Sequence, residues 1–189
     1  MTQPRVMITR KTEYSVDSDL LVYCLNEFDK TMPGMPAMIK KPVQQAFDVK
    51  DFSGKLKESL LLYPPLASSG KKVAAKRVMI AGIGKTGEKE DRFDLFDRLR
   101  EAGGAIAETC RKTKSRDVTL CLPDIKSIGP EDTSRMLVEG LLLGIYQFDK
   151  YKSTTRKKED YPGIRTLRIA GVKEEKPVRH GMSMAATAA

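Results

Sequence analysis

Four consecutive apolar residues, Val78-Met79-Ile80-Ala81, run directly into the glycine-rich segment Gly82-Ile83-Gly84-Lys85-Thr86-Gly87. A run this short and this uniformly apolar reads as a central strand, and a strand buried on both sides needs a covering layer on each. Residues 20–25 (Leu-Leu-Val-Tyr-Cys-Leu) repeat the pattern after Asp17-Ser18-Asp19. Further strands are predicted over residues 6–9, over 59–63 before Pro64-Pro65, and over 117–122 before Pro123-Asp124. Residues 165–171 alternate charged and apolar side chains, which predicts a strand at a sheet edge or half exposed.

Between these runs the apolar period lengthens. Phe93, Phe96, Leu99, Ile106 and Cys110 recur at helical spacing over residues 91–112, interrupted by Gly103-Gly104. Each glycine inside a helix costs about 1 kcal/mol relative to alanine, so a close approach to another backbone is the expected compensation. Gly129-Pro130-Glu131-Asp132 opens a second helix through Met136, Leu137, Leu141, Ile145 and Phe148, with acidic residues at its positive end. Its Gly140 and Gly144, one turn apart, are expected to let it sit close to the sheet. A short helix is predicted from Pro42, placed in the first turn where its missing N–H costs nothing, to Phe47, ending near residues 51–54. Alternating strands and helices predict an α/β fold in a single domain, a mixed β-sheet flanked by helices on both faces. Neither an internal repeat nor a low-complexity segment is present.

Composition narrows the chemistry. Cys24, Cys110 and Cys121 are widely spaced and read as buried thiols, and His180, the single histidine, reads as an exposed linker residue. A multi-histidine metal site is thereby excluded, and catalysis by this chain's own side chains is disfavoured. Asp17 with Asp19, and the acidic run from Glu88 to Asp94, are the only carboxylate concentrations, and turn or helix-start roles account for both. Lys plus Arg number 34 against 25 acidic residues, a net charge of +9, so an electrostatic partner is expected to be anionic. The basic clusters are Lys71-Lys72, Arg111-Lys112-Lys114-Arg116 and the loop Lys150 to Lys158. Together they could hold a phosphate backbone without reading bases. With no run of about 18 apolar residues and no secretory-type N-terminus, a membrane partner and export are disfavoured and the cytoplasm is expected.

Gly82, Gly84 and Gly87 match the spacing of a dinucleotide-binding loop and form the one candidate ligand loop. The acidic run that follows is ill-suited to phosphate, so a tight turn is the first reading and an altered ligand loop the second. A P-loop is excluded because Met79 stands where its first glycine belongs.

Four segments carry a family resemblance: Asp51-Phe52-Ser53-Gly54-Lys55, Arg77 to Lys85, Leu99 to Ala107, and Glu139 to Lys152 with its Tyr-Gln-Phe-Asp-Lys-Tyr-Lys ending. In order they resemble the N-terminal domain of the leucyl aminopeptidase (cytosol aminopeptidase) family, over roughly residues 15 to 175. The resemblance implies a macro-domain-like fold over residues 1–175, with 176–189 as a linker and the start of a helix leading to a catalytic domain. That domain, implied to be missing here, would carry two divalent metal ions, zinc or manganese, and would remove N-terminal residues from peptides. No Asn-Thr-Asp signature occurs in this sequence, so the resemblance assigns no catalytic, cofactor or metal residue to it. It implies a role in hexamer assembly and active-site access, with the chain's own C-terminal catalytic domain and sister subunits as partners and peptide substrates met only through that domain. Two other readings stay open: a DNA-binding module, which some bacterial relatives suggest, and an ADP-ribose or nucleotide-binding macro-like domain using the Gly82 loop.

Overall fold

The computed structural model describes residues 4–27, 29, 32, 34–64, 67–68, 71–87, 90–146 and 161–188. In chain order the elements are β1 (Arg5–Ile8), β2 (Leu20–Asn26), α1 (Ala37–Asp48), β3 (Ser59–Leu62), β4 (Ala67–Ser68), β5 (Lys71–Lys72), β6 (Val78–Gly84), α2 (Arg92–Thr113), β7 (Asp117–Cys121), α3 (Gly129–Ile145), β8 (Thr166–Ala170) and α4 (Glu175–Ala188). Six strands form one sheet in the order β1-β8-β7-β2-β6-β3, and β4 and β5 make a separate two-stranded hairpin. Every pairing in the large sheet is parallel except that of the edge strand β3 with β6. The sheet is therefore mixed, as the sequence predicts.

Alternation along β2 divides the interior in two. Leu20 and Val22 point into a core shared with α2, α3 and α4, whereas Leu21, Tyr23 and Leu25 point into a core closed by α1. In α1, Met38, Ile39, Val43, Ala46 and Phe47 fall on one buried stripe. This stripe explains a departure from expectation: the helix begins at Ala37, so Pro42 lies inside it and not in its first turn. Burying Met38 and Ile39 outweighs the single hydrogen bond that proline removes.

Two further expectations are corrected. β8 is no edge strand but sits between β1 and β7, with four of its five residues buried. The charge alternation arises because Arg165 precedes the strand and pairs with Asp117, while Arg168 leans toward the same carboxylate at 3.9 Å. Gly140 and Gly144 bring α3 against α2 and not against the sheet: a Cβ on Gly140 would collide with the Arg100 carbonyl, and one on Gly144 with Ala107. Gly103 answers from the other side, where a Cβ would meet the backbone of Leu137 and Leu141, so the expected close approach is present at that residue. Gly104 faces open space.

At the C-terminal end, α4 packs on α3 through Val178, Gly181, Met182 and Ala185, a stripe at helical spacing. Gly181 lies against the Glu131 carbonyl and the Ser134 hydroxyl. His180 is thus helical, with an exposed ring whose Nδ1 sits 2.9 Å from Glu131 Oε1. Phe148 and the basic loop Lys150 to Lys158 lie outside the described residues.

Candidate functional site at the carboxyl ends of the strands

In an open α/β sheet, ligands bind outside the carboxyl ends of the strands, where neighbouring strands send their connections to opposite faces. Here that point lies between β2, which leads to α1 on one face, and β6, which leads to α2 on the other. The glycine loop leaves the sheet at this position. β6 runs through Gly84, so Gly82 and Gly84 are strand residues, and Gly87 lies in the loop before α2.

The chain fills this crevice with its own backbone. Residues 52–58 fold over the ends of β2 and β6 and are pinned by hydrogen bonds. Gly82 N–H donates to the Glu58 carbonyl at 2.8 Å, Gly84 N–H to the Gly54 carbonyl at 3.0 Å, and Glu27 N–H to the Gly84 carbonyl at 2.9 Å. A Cβ on Gly82 would overlap the Lys55 carbonyl, and one on Gly54 the Asn26 carbonyl. Glycine is needed at 82 and 54 because two backbones touch there, a different reason from the phosphate approach that the spacing suggests. The Glu58 carboxylate locks the turn by accepting from Ser53 N–H, Ser53 Oγ and Lys55 N–H. Burial pushes its pKa up, and these donors with the Lys55 charge carry it below the ordinary value. Phe52, 2% exposed, anchors the segment edge-on against Phe47. Two of the three glycines of the candidate loop thus have their amides engaged by the chain itself.

Of the acidic run, Glu88 lies outside the described residues, while Glu90 and Asp91 have structural partners. Asp91 caps α2 by accepting from Phe93 N–H and Asp94 N–H, and Glu90 pairs with Arg98 at 2.7 Å. Asp19 accepts from the N–H groups of Arg116 and Asp117 and from Lys76 Nζ, tying the start of β2 to that of β7, while Asp17 is exposed. Burial drives the Cys24 and Cys110 thiols up to about 12 and Cys121 well above its ordinary value, so none is a ready nucleophile at neutral pH. Among the described residues no group of three or more His, Cys, Asp or Glu could hold a metal ion. The described residues thus offer no donor set for a dinuclear metal centre, which the family resemblance places in the catalytic domain.

Further along the same crest the surface opens. Between the ends of β7 and β8 lies a cleft of about 260 Å³ lined by Leu122, Pro123, Ile125, Val172 and Val178 among others. Asp124 and Lys173, paired at 2.7 Å, stand at it with side chains 64% and 82% exposed. Sequence reasoning missed this cleft because its walls come from two loops separated by the whole of α3 and β8.

The opposite end of the sheet is basic. Parallel register aligns the starts of β1, β8 and β7, each preceded or opened by an arginine: Arg5 N–H donates to the Arg165 carbonyl, and Arg165 N–H to the Arg116 carbonyl. Arg77 and Lys76 stand at the start of β6, and Lys114 caps α2. Asp117 and Asp19 neutralise Arg165 and Lys76. Among the described residues no carboxylate is seen paired with Arg5, Arg77, Lys114 or Arg116. Of the basic clusters read from sequence, residues 111–116 belong to this edge, whereas Lys72 lies in the separate hairpin.

Comparison with solved structures defines the class of fold. A tomato leucine aminopeptidase variant superposes with a TM-score of 0.70 at 16% identity, covering 97% of this chain and 35% of that one. The macro domain of ganglioside induced differentiation associated protein 2 superposes with a TM-score of 0.63 at 10% identity, covering 98% and 86%. At these identities the likeness shows a macro-domain fold and no more. Sequence carries the assignment further: residues 27–155 match the cytosol aminopeptidase family, N-terminal domain. Relatives described as probable cytosol aminopeptidases from Desulforapulum autotrophicum and Desulfotalea psychrophila are 33% and 34% identical over 90% and 82% of this chain. The chain belongs to the cytosol aminopeptidase family and corresponds to its N-terminal domain. It spans about a third of the length of these relatives. No helix among the described residues is long and apolar enough to cross a membrane.

Proposed function

We propose that this chain is the non-catalytic N-terminal domain of a cytoplasmic, metal-dependent aminopeptidase of the leucyl type, and that it serves subunit packing and access to an active site carried elsewhere in the parent protein. The supporting observation is the match of residues 27–155 to the family's N-terminal domain, together with an alignment that spans 90% of this chain but only a third of its relative from Desulforapulum autotrophicum. On this reading residues 1–175 are the domain body and residues 176–189 lead toward the catalytic domain, and hydrolysis and its two divalent ions, zinc or manganese, belong to that domain. Its partners are that domain and sister subunits, and peptides reach the protein only there. The 189-residue chain is expected not to hydrolyse leucine p-nitroanilide with added manganese or zinc, whereas the parent polypeptide is expected to do so with either. Metal-dependent turnover by the purified chain would overturn the reading.

A second reading is supported by the arginine edge. Cations at the starts of β1, β6 and β7 that have no carboxylate partner among the described residues suit a phosphate backbone, and a DNA-binding role would use that edge without reading bases. ADP-ribose binding at the Gly82 loop is the weaker alternative, because the chain's own residues 52–58 occupy the crevice.

A further inference from the structure

The open cleft at the ends of β7 and β8 is unexplained by subunit packing or by a phosphate-binding edge. Leu122, Ile125, Val172 and Val178 give its lining an aliphatic part beside the polar one. Its volume of about 260 Å³ falls below the roughly 300–1,000 Å³ of pockets for drug-sized ligands, so it suits one small molecule and not a nucleotide. β8 ends at Ala170, and Gly171 in the left-handed conformation, φ +71°, turns the chain along the cleft before α4 begins.

Three charged side chains line the cleft, Asp124, Glu174 and Lys173, a net negative set that favours an ammonium, and the Asp124–Lys173 pair is incompletely used. Lys173 Nζ donates to Asp124 Oδ2 at 2.7 Å. An ammonium has three donors and a carboxylate two acceptor oxygens, so each partner keeps capacity for one more charged group. A small molecule carrying an ammonium and a carboxylate on one carbon could place the first on Asp124 and the second on Lys173. Four charges of alternating sign would then close a ring without breaking the existing pair. The starts of α3 and α4 lie beside the cleft through Pro130 and Glu174 and favour the carboxylate by their dipoles. An aliphatic side chain on the same carbon would reach the aliphatic part of the lining.

We propose that the cleft between β7 and β8 binds a free aliphatic α-amino acid of the leucine type. Binding follows from the cleft alone. Its meaning, sensing of the residue that the parent enzyme releases, rests on the proposed function. A chain that binds leucine while its parent fails to hydrolyse peptides would therefore separate the two claims.

The test is a two-dimensional NMR titration of the 189-residue chain with L-leucine. Saturable shifts are expected at residues 122–125 and 171–174, half complete near about 1 mM, the scale of a small-ligand contact of this kind. Isoamylamine, which lacks the carboxylate, 4-methylpentanoate, which lacks the ammonium, and glycine, which lacks the side chain, are each expected to bind about tenfold more weakly. Lys173→Gln and Asp124→Asn alter exposed side chains, leave the fold intact, and are expected to weaken leucine by a similar factor. No saturation by leucine at about ten times that concentration would overturn the proposal, as would shifts elsewhere on the surface. Equal binding of the three analogues, or insensitivity to both substitutions, would overturn it too.

Discussion

Asp19 shows how one side chain can tie strands that are distant in sequence. Its carboxylate accepts from Arg116 N–H at 2.8 Å, Asp117 N–H at 3.0 Å and Lys76 Nζ at 2.7 Å, at the point where β2 meets β7. Burial pushes its pKa up, but the Lys76 hydrogen bond, the two backbone donors and the Lys76 charge outweigh that and hold it at about 2. An aspartate in an unfolded chain titrates near about 3.9, so the folded state binds this proton less readily than the unfolded state. The resulting stability is fully present above about pH 4 and is lost as pH falls toward 2. Asp19→Ala leaves two N–H groups without their acceptor and is expected to cost about 2 kcal/mol at neutral pH. In urea denaturation the difference between wild type and variant should shrink steadily as pH falls from about 4 to about 2. A constant difference across that range would show that the contribution does not come from the charged carboxylate. The sequence marked Asp17 and Asp19 as a turn, which is correct locally. It concealed Asp19's role because the donors lie 97 and 98 residues away. The cysteines, in contrast, were legible one by one, since their scatter and apolar neighbours mean burial, which is where Cys110 and Cys121 lie.

The helix pair α2 and α3 shows what a glycine pattern reveals about an element and what it withholds. Gly103 and Gly140 signal in the sequence that some backbone comes close, but not which one, because a spacing has no partner written into it. The structure supplies the partner: Gly140 rests on Arg100 of α2, and Gly103 on Leu137 and Leu141 of α3. Beside the crossing, Arg100 bonds Glu139 at 2.7 Å and Asp97 at 2.9 Å, so the close approach also aligns an ionic contact. Gly140→Ala must push the helices apart against backbone atoms that cannot yield, and is expected to destabilise by about 3 kcal/mol or more. Gly104→Ala, one residue from Gly103 but facing open space, is expected to stabilise by about 0.5–1 kcal/mol through helix propensity alone. Thermal melts of the two variants should therefore move in opposite directions, and a loss of stability on Gly104→Ala would mean that the helix packing is not as described. The strand β8 was legible in sequence, but its interior place in the sheet was not, for a related reason. Its arginines looked like solvent exposure, whereas Asp117 on the neighbouring strand attracts both.

Across the whole molecule the net charge of +9 becomes a direction. The carboxyl ends of the strands carry cations and acids side by side: Lys55 in the plug over residues 52–58, Lys85 after β6, Glu90 on Arg98, the capping Asp91, and the pair Asp124 and Lys173. The amino ends carry Arg5, Arg77, Lys114 and Arg116 without carboxylate partners among the described residues. Parallel register creates this cluster, since it brings the starts of β1, β8, β7, β2 and β6 to one edge, where neighbouring starts lie about 4.8 Å apart. Composition announced an anionic partner but could not place it, because residues 5, 116 and 77 reach the same edge, on every second strand, only through strand order. If a phosphate backbone is bound at this edge, each cation that neutralises one phosphate adds close to one unit to the slope of log affinity against log salt. Arg5→Ala with Arg116→Ala should then lower that slope by about two units and weaken binding equally for duplexes of unrelated sequence. Lys72→Ala, in the separate hairpin, should leave the slope unchanged. Fluorescence anisotropy with a labelled duplex over a salt series measures all three. Binding that is indifferent to salt, or a slope that falls with Lys72 and not with the arginines, would remove the edge from consideration and return the surplus charge to solubility.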